Sequence, residues 1–174
     1  MCGRYVNKAI GPELNQHGRT MPNPFRRLVG ALQAIPWNAD VRPSQAVSVI
    51  TSLDQDTIPE MQWWYIPPWA KDPDAFRKRL TTFNARIENV ANAKTYASSW
   101  KAGKRCLFPM GGYYEWQPIE GSKKKLRHFI GPEDGRWLWA AGLWSETKIT
   151  DGPPLYSATM IVRPAADSRP TNGL

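Results

Sequence analysis

Cysteine and histidine are scarce in this sequence: Cys2, Cys106, His17 and His128 are all it has. So few cannot make a Cys/His cluster with metal spacing. There is no phosphate-cradling P-loop and no GxGxxG turn, so nothing implies a metal or a nucleotide cofactor. No apolar run is long enough to span a bilayer. The start lacks the basic-then-apolar pattern of an export signal. Two cysteines without such a signal read as free thiols rather than a disulfide framework. The expected location is therefore the cytoplasm, the nucleoid or a eukaryotic nucleus, with no membrane partner. Acidic residues are also in deficit, 15 Asp and Glu against 23 Lys and Arg, for a net charge of +8 and a pI near 9.7.

A balance this basic favours a polyanionic partner, although charge alone describes many solvated surfaces equally well. Tryptophan adds to it: nine Trp residues exceed what packing a small domain needs. Aromatic faces beside basic residues suit single-stranded nucleic acid, by stacking and phosphate contact. At 174 residues, 41% hydrophobic and 22% charged, the chain has the size and composition of one folded domain with a real core.

The stretch "GPELNQHGRTMPNPF" reads as loop, followed by a short helix at "RRLVGALQ". "AVSVITSL" and "IPEMQWWYI" are β-type runs joined by "DQDT", a predicted hairpin whose second strand ends at "PPW". "DPDAFRKRL" predicts a helix starting near Asp72 or Asp74. "VANAKTYASSWKAGK" carries Ala93, Tyr96, Ala97 and Trp100 on one helical face and predicts a longer helix. "RCLFP", "GYYEWQ", "LRHFIG", "WLWAAGLW" and "LYSATMIV" then predict successive strands. Many short strands with local connections give an α+β fold. The expectation is a single β-rich domain over 1–174, mostly antiparallel, with a curled or barrel-like sheet and a few short helices.

The opening "MCGRY" raises a chemical question. If Met1 is removed, Cys2 carries an α-amine and a thiol on neighbouring atoms. That pair attacks an aldehyde together, or serves as a nucleophile with its own base. Further along, "FNARIEN" sets Asn84, Arg86 and Glu88 after a hydrophobic turn, and "GGYYEWQ" sets Glu115 between aromatics. With Tyr114 and Trp116 on one face of a strand, Glu115 lies on the other. Taken singly, a strand glutamate more often points to solvent, Asn84 is an ordinary turn former, and Arg86 an ordinary solvated charge.

Read in order, these stretches resemble the SOS response-associated peptidase (SRAP) family of abasic-site processing proteins. The resemblance rests on "MCGRY", "DVRPSQ", "WWYIPPWA", "NARIEN", "RCLFPMGGYYEW", "RHFI", "AAGLW" and "SATMIVRPAAD", and covers nearly the whole chain. It implies capture of abasic sites in single-stranded DNA, without metal or cofactor, through a thiazolidine formed by Cys2 after release of Met1. By motif position Cys2 matches the nucleophile, Glu115 the catalytic glutamate, and Asn84 the residue that orients the N-terminus. Arg4 and Arg86 match phosphate ligands. Pro43, Trp69 and Trp116 match apolar surfaces for unstacked bases. The resemblance says nothing of the oligomeric state.

Four positions depart from the family pattern: Asp40 for asparagine, Arg42 for alanine, Trp64 for glycine and Tyr65 for an aliphatic residue. All four are expected beside the DNA groove, where they would alter binding strength or context preference. The chain also ends at "SRPTNGL", about where the family's His-x-Arg-Met-Pro segment begins, and neither His17 nor His128 lies in a matching position. Partial retention of Met1 is the expected consequence. Two other readings stay open on residues alone: a cysteine peptidase or amidase using Cys2 as N-terminal nucleophile, and a non-catalytic single-stranded nucleic-acid binder.

Overall fold

A computed structural model describes residues 3–7, 28–54, 57–133, 135, 137–150 and 152–163. Within these lie ten strands and three short helices. The strands are β1 (Tyr5–Val6), β2 (Ala46–Ser48), β3 (Ile50–Thr51), β4 (Glu60–Trp63), β5 (Asn84–Arg86), β6 (Arg105–Met110), β7 (Gly112–Pro118), β8 (Lys125–Ile130), β9 (Leu138–Thr147) and β10 (Leu155–Val162). The helices are α1 (Val29–Ala34), α2 (Pro73–Arg79) and α3 (Ala97–Lys101). The expectations for Cys2, for the loop before α1 and for the end of the chain fall outside the described residues.

The larger sheet has the order β2-β4-β10-β9-β6-β3, with β5 also pairing β10. Its two outermost strands, β2 and β3, are consecutive in the chain and separated only by Val49. One extended run therefore serves both ends of the sheet, and the sheet must curl round to meet it. Val49 is fully buried at the seam, and its N–H donates to the Pro59 carbonyl at 3.0 Å. The predicted hairpin survives as β2 on β4, with Val47 opposite Met61. The run "AVSVITSL" is split, however, because Ile50 and Thr51 turn away to pair Leu107 and Cys106.

The five predicted strands from "RCLFP" to "LYSATMIV" all form, and β6, β9 and β10 pair antiparallel in the middle of the sheet. Two parallel pairings, β10 with β4 and β10 with β5, are the exceptions to the antiparallel pattern. Residues Gly142–Ser145 of β9 and Ser157–Met160 of β10 are buried without alternation, as central strands covered on both faces must be. Gly142 is required there: a Cβ would lie 2.5 Å from the Phe108 ring and 2.6 Å from the Thr159 carbonyl.

The principal core gathers around Trp63, whose ring meets Tyr5 at 5.2 Å, Phe83 at 5.9 Å and Phe108 at 6.4 Å. Its indole N–H donates to the Phe83 carbonyl at 2.8 Å, so the buried polar tip is satisfied. Behind the sheet, a layer of buried hydroxyls pins the proline-rich segment after β4. Ser157 Oγ accepts from Ile66 N–H at 2.8 Å, and Thr147 Oγ1 donates to the Ile66 carbonyl at 2.9 Å. The segment leads into α2, which Asp72 caps by accepting from the Asp74 and Ala75 N–H groups, with Pro73 in the first turn.

The helix expected over 90–104 is realised only as Ala97–Lys101. The residues before it are successive turns, with Ala93 N–H donating to the Asn89 carbonyl and Tyr96 N–H to Ala93. The Lys94 carbonyl, a natural acceptor for a continuing helix, instead accepts the Trp69 indole N–H at 3.3 Å. Tyr96 and Trp100 still face the core as their spacing implies. Among the described residues no helix is long and apolar enough to cross a membrane, and no group of three His, Cys, Asp or Glu side chains gathers as a metal site would.

Candidate N-terminal site and nucleic-acid interface

Two-residue β1 is held on both sides. Tyr5 and Val6 pair Tyr113 and Gly112 of β7, and Tyr5 also bridges Val41. Tyr5 and Val6 are almost fully buried, which fixes the strand in depth as well as in register. Gly111 N–H donates to the Val6 carbonyl at 2.8 Å and Tyr114 N–H to the Arg4 carbonyl at 2.9 Å. Arg4 therefore runs beside Tyr114. Continuing the register one residue sets Gly3 level with Glu115.

Strands β1, β7 and β8 form the smaller sheet. Opposite pairs are Tyr114 with Phe129, Glu115 with His128, and Trp116 with Arg127. Tyr114, Trp116, Arg127 and Phe129 consequently share one face, and Glu115 the other, with Tyr113. Tyr113 packs on the main core and Glu115 is half-buried, so this face is not simply solvent. His128 Nε2 lies 3.0 Å from Gln117 Oε1.

The aromatic face is basic as well. The Arg4 guanidinium sits 5.6 Å from the Trp116 ring and Arg127 sits 5.0 Å from the Tyr114 ring, both in cation–π range. Arg4 Nε also reaches Asp40 Oδ1 at 3.2 Å, while Arg42 Nε donates to Asp40 Oδ2 at 2.8 Å and Arg42 Nη2 pairs the same oxygen. The Arg42 hydrogen bond, aided by the fields of Arg4, Arg42 and Arg127, holds the Asp40 carboxyl below its ordinary range against the opposing effect of burial. Pro43 follows in a tight turn closed by Gln45 N–H to the Arg42 carbonyl, and Ser44 adopts φ 75° within it.

On the larger sheet, β5 presents Asn84 and Arg86 on one side and buries Ala85 on the other. It lies parallel to β10, with Asn84 opposite Met160 and Arg86 opposite Val162. Arg86 is exposed and Asn84 half-buried. Trp69 is about half exposed, its N–H on the Lys94 carbonyl and the Lys94 ammonium 5.5 Å from its ring. Trp63 ties the two groups together: Tyr5, next to Arg4, and Phe83, next to Asn84, flank one indole.

The structure thus brings Arg4 and Trp116 into contact, keeps Asn84 and Arg86 together on β5, and puts Trp69 apart on Lys94. One of the expected groove residues, Tyr65, lies in the core instead. Tyr65 is fully buried, its hydroxyl donating to Ser99 Oγ at 2.8 Å and its pKa raised mainly by burial. Trp64 packs on Phe83 at 5.4 Å and donates to the Leu80 carbonyl. Tyr65 is thus a core anchor, while Trp64 is half-buried at the edge of the cluster of Ile66, Ala70 and Phe76. Sequence reasoning missed Arg127, Tyr114 and Lys94 as members of the aromatic and basic surface. The hairpin register of "YYEWQ" against "LRHF" was the signal that could have found the first two.

A curled mixed sheet with a small second sheet, in which β1 runs beside the strand of a half-buried glutamate and Arg4 meets Trp116, defines a β-rich α+β domain. The chain belongs to the SOS response associated peptidase (SRAP) family, whose model matches residues 1–170. An abasic site processing protein of Saccharomyces cerevisiae is 37% identical over 114 residues, 66% of this chain and 29% of that protein. The abasic site processing protein YoqW of Bacillus subtilis is 30% identical over 123 residues, 70% of this chain and 53% of YoqW. The matched stretch therefore spans about half or less of these relatives' own length. A crystal structure of a Bordetella bronchiseptica protein has the same fold, with a TM-score of 0.71 at 22% identity over 98% of this chain and 75% of that one. One from Bacteroides thetaiotaomicron has a TM-score of 0.68 at 23% identity, over 91% and 68%.

Proposed function

We propose that this protein captures abasic sites in single-stranded DNA as a covalent thiazolidine at Cys2, after hydrolysis of the Met1–Cys2 peptide bond releases methionine. The observation that carries the reading is the β1–β7 register, which sets Arg4, Tyr5 and Val6 beside the strand that carries Glu115. The relatives named as abasic site processing proteins supply the substrate class.

The chemistry balances without a cofactor. The Cys2 amine adds to the open-chain aldehyde of the abasic sugar and expels water, leaving an imine. The Cys2 S–H then adds across that C=N bond, sulfur to carbon and proton to nitrogen, and closes a five-membered ring. Sulfur and nitrogen belong to one residue, so the second attack is intramolecular and has a very high effective concentration. Glu115 is the proton carrier for release of Met1, for water loss and for ring closure. Asn84 orients the N-terminus. Arg4 and Arg86 take backbone phosphates, which guanidinium forks fit well. Trp116, Trp69 and Pro43 offer apolar faces to bases flanking the lesion.

The test is incubation of the Met1-free protein with an abasic oligonucleotide, followed by denaturing electrophoresis. A heat-stable shifted band is expected, and Cys2→Ala abolishes it. An undiminished band in Cys2→Ala would sink the mechanism.

A further inference from the structure

Two arginines converge on one carboxylate at the edge of this site. Arg4 Nε is 3.2 Å from Asp40 Oδ1, Arg42 Nε is 2.8 Å from Asp40 Oδ2, and Arg42 Nη2 reaches the same Oδ2. Arg42 places two guanidinium nitrogens on the one oxygen Oδ2, and Arg4 faces Oδ1 as an ion-pair partner without a hydrogen bond, so a bound anion would meet two guanidinium groups at this spot. Arg127, a further cation of the neighbouring strand, adds its field to the same carboxyl. The Arg4 and Asp40 side chains are only 29% and 39% exposed, so the pair is partly shielded from solvent screening. Arg42 is 55% exposed and reaches over Asp40 from the solvent side.

We infer that Asp40 occupies an anion site made by Arg4 and Arg42, and so acts as a built-in competitor for the DNA phosphate that this site takes. The inference rests on the proposed function for the identity of the anion, but not for the existence of the site. A phosphate binds Arg4 and Arg42 fully only by displacing Asp40, or else binds beside it against its negative charge. Either route costs affinity. Asp40 and Arg42 depart together from the family pattern: the acid inhibits, and its partner arginine supplies a second fork to the same anion.

Two probes separate the site from its biological ligand: inorganic pyrophosphate, followed by calorimetry, and a fluorescein-labelled single-stranded oligothymidine, followed by anisotropy at several salt concentrations. Asp40→Asn keeps the side chain's shape and removes its charge, with Asp40→Ser as a second variant should the first fold poorly. Asp74→Asn removes one negative charge from α2, where Asp74 is 81% exposed and pairs only its helix neighbour Arg77 among the ion pairs described. Asp40→Asn is expected to tighten pyrophosphate and oligothymidine binding by about tenfold, the scale of one charge-assisted contact. It should steepen the log–log salt slope for the oligonucleotide by roughly 0.7. Asp74→Asn should change either affinity by less than about twofold, as expected for a screened surface charge. Adding Arg4→Ala to Asp40→Asn should abolish the gain. A gain in Asp40→Asn no larger than in Asp74→Asn, or one that survives Arg4→Ala, overturns the inference. Tighter pyrophosphate binding without oligothymidine binding by any variant upholds the anion site and sinks the single-stranded DNA reading instead.

Discussion

The middle of the large sheet and the β7–β8 hairpin obey different rules. In β9 and β10 four consecutive residues are buried, and the hydroxyls of Ser145, Thr147 and Ser157 bond the backbone of the segment after β4. In β8 all six residues are exposed, and in β7 the residues Tyr113–Trp116 are half-buried. One region is closed on both faces; the other displays charge and aromatic surface. The buried core and the exposed aromatic and basic face thereby lie on different strands, joined at Trp63 and β1.

The comparison breaks most visibly at that junction. Trp63→Ala should cost about 3–5 kcal/mol in denaturant unfolding, the range for a large aromatic removed from a core. It should loosen the seats of Tyr5 and Phe83 together, so crosslinking falls as the protein unfolds. A loss below about 1 kcal/mol would mean that Trp63 does not join the two regions.

Glu115→Gln separates the regions cleanly. Crosslinking should slow by ~10²–10⁴-fold, the usual worth of general acid–base assistance, while unfolding shifts by less than about 0.5 kcal/mol. Wild-type rates would return Glu115 to an ordinary strand position.

Arg86→Ala and Arg4→Ala sharpen the comparison on the binding side. Each should lower the salt slope for single-stranded DNA by about 0.7, with or without a lesion. Unchanged slopes in both would assign these arginines to structure.

The smallest effect is on pH dependence. The folded-state pKa of Asp40 is lowered, first by the Arg42 hydrogen bond. Its contribution is therefore fully present above the unfolded value near ~3.9, and is lost as pH falls through the lower folded value. Asp40→Asn should be slightly less stable than wild type at neutral pH and equal to it once both carboxyl forms are protonated. The gap stays small because the group is partly exposed. Thermal melts across acidic pH check it; a gap that widens with acidification would contradict the assignment.

Local pattern was enough where an element carries its own signal. The five strands from Arg105 to Val162 were legible because each is long enough to show a β-type run between turn residues. Helix α2 was legible because Asp72 and Pro73 form a cap by themselves. The ordered motifs from "MCGRY" onward made the family legible, and they proposed Asn84, Arg86, Glu115 and Trp116 as site residues. Tertiary structure decided the rest. Strands β1 and β5 have two and three residues, too few for any periodicity, and exist only because distant β7 and β10 pair them. The run through Val49 splits because a curled sheet needs both its ends there. The stretch before Ala97 forms successive turns rather than helix, and there Lys94 offers its carbonyl to Trp69, 25 residues upstream. Asp40 gains its second arginine only once β1 pairs Tyr5 with Val41 and so brings Arg4 to it. In each case the deciding partner is remote in sequence, and a hydrogen bond or ion pair to a remote partner leaves no mark on the residues nearby.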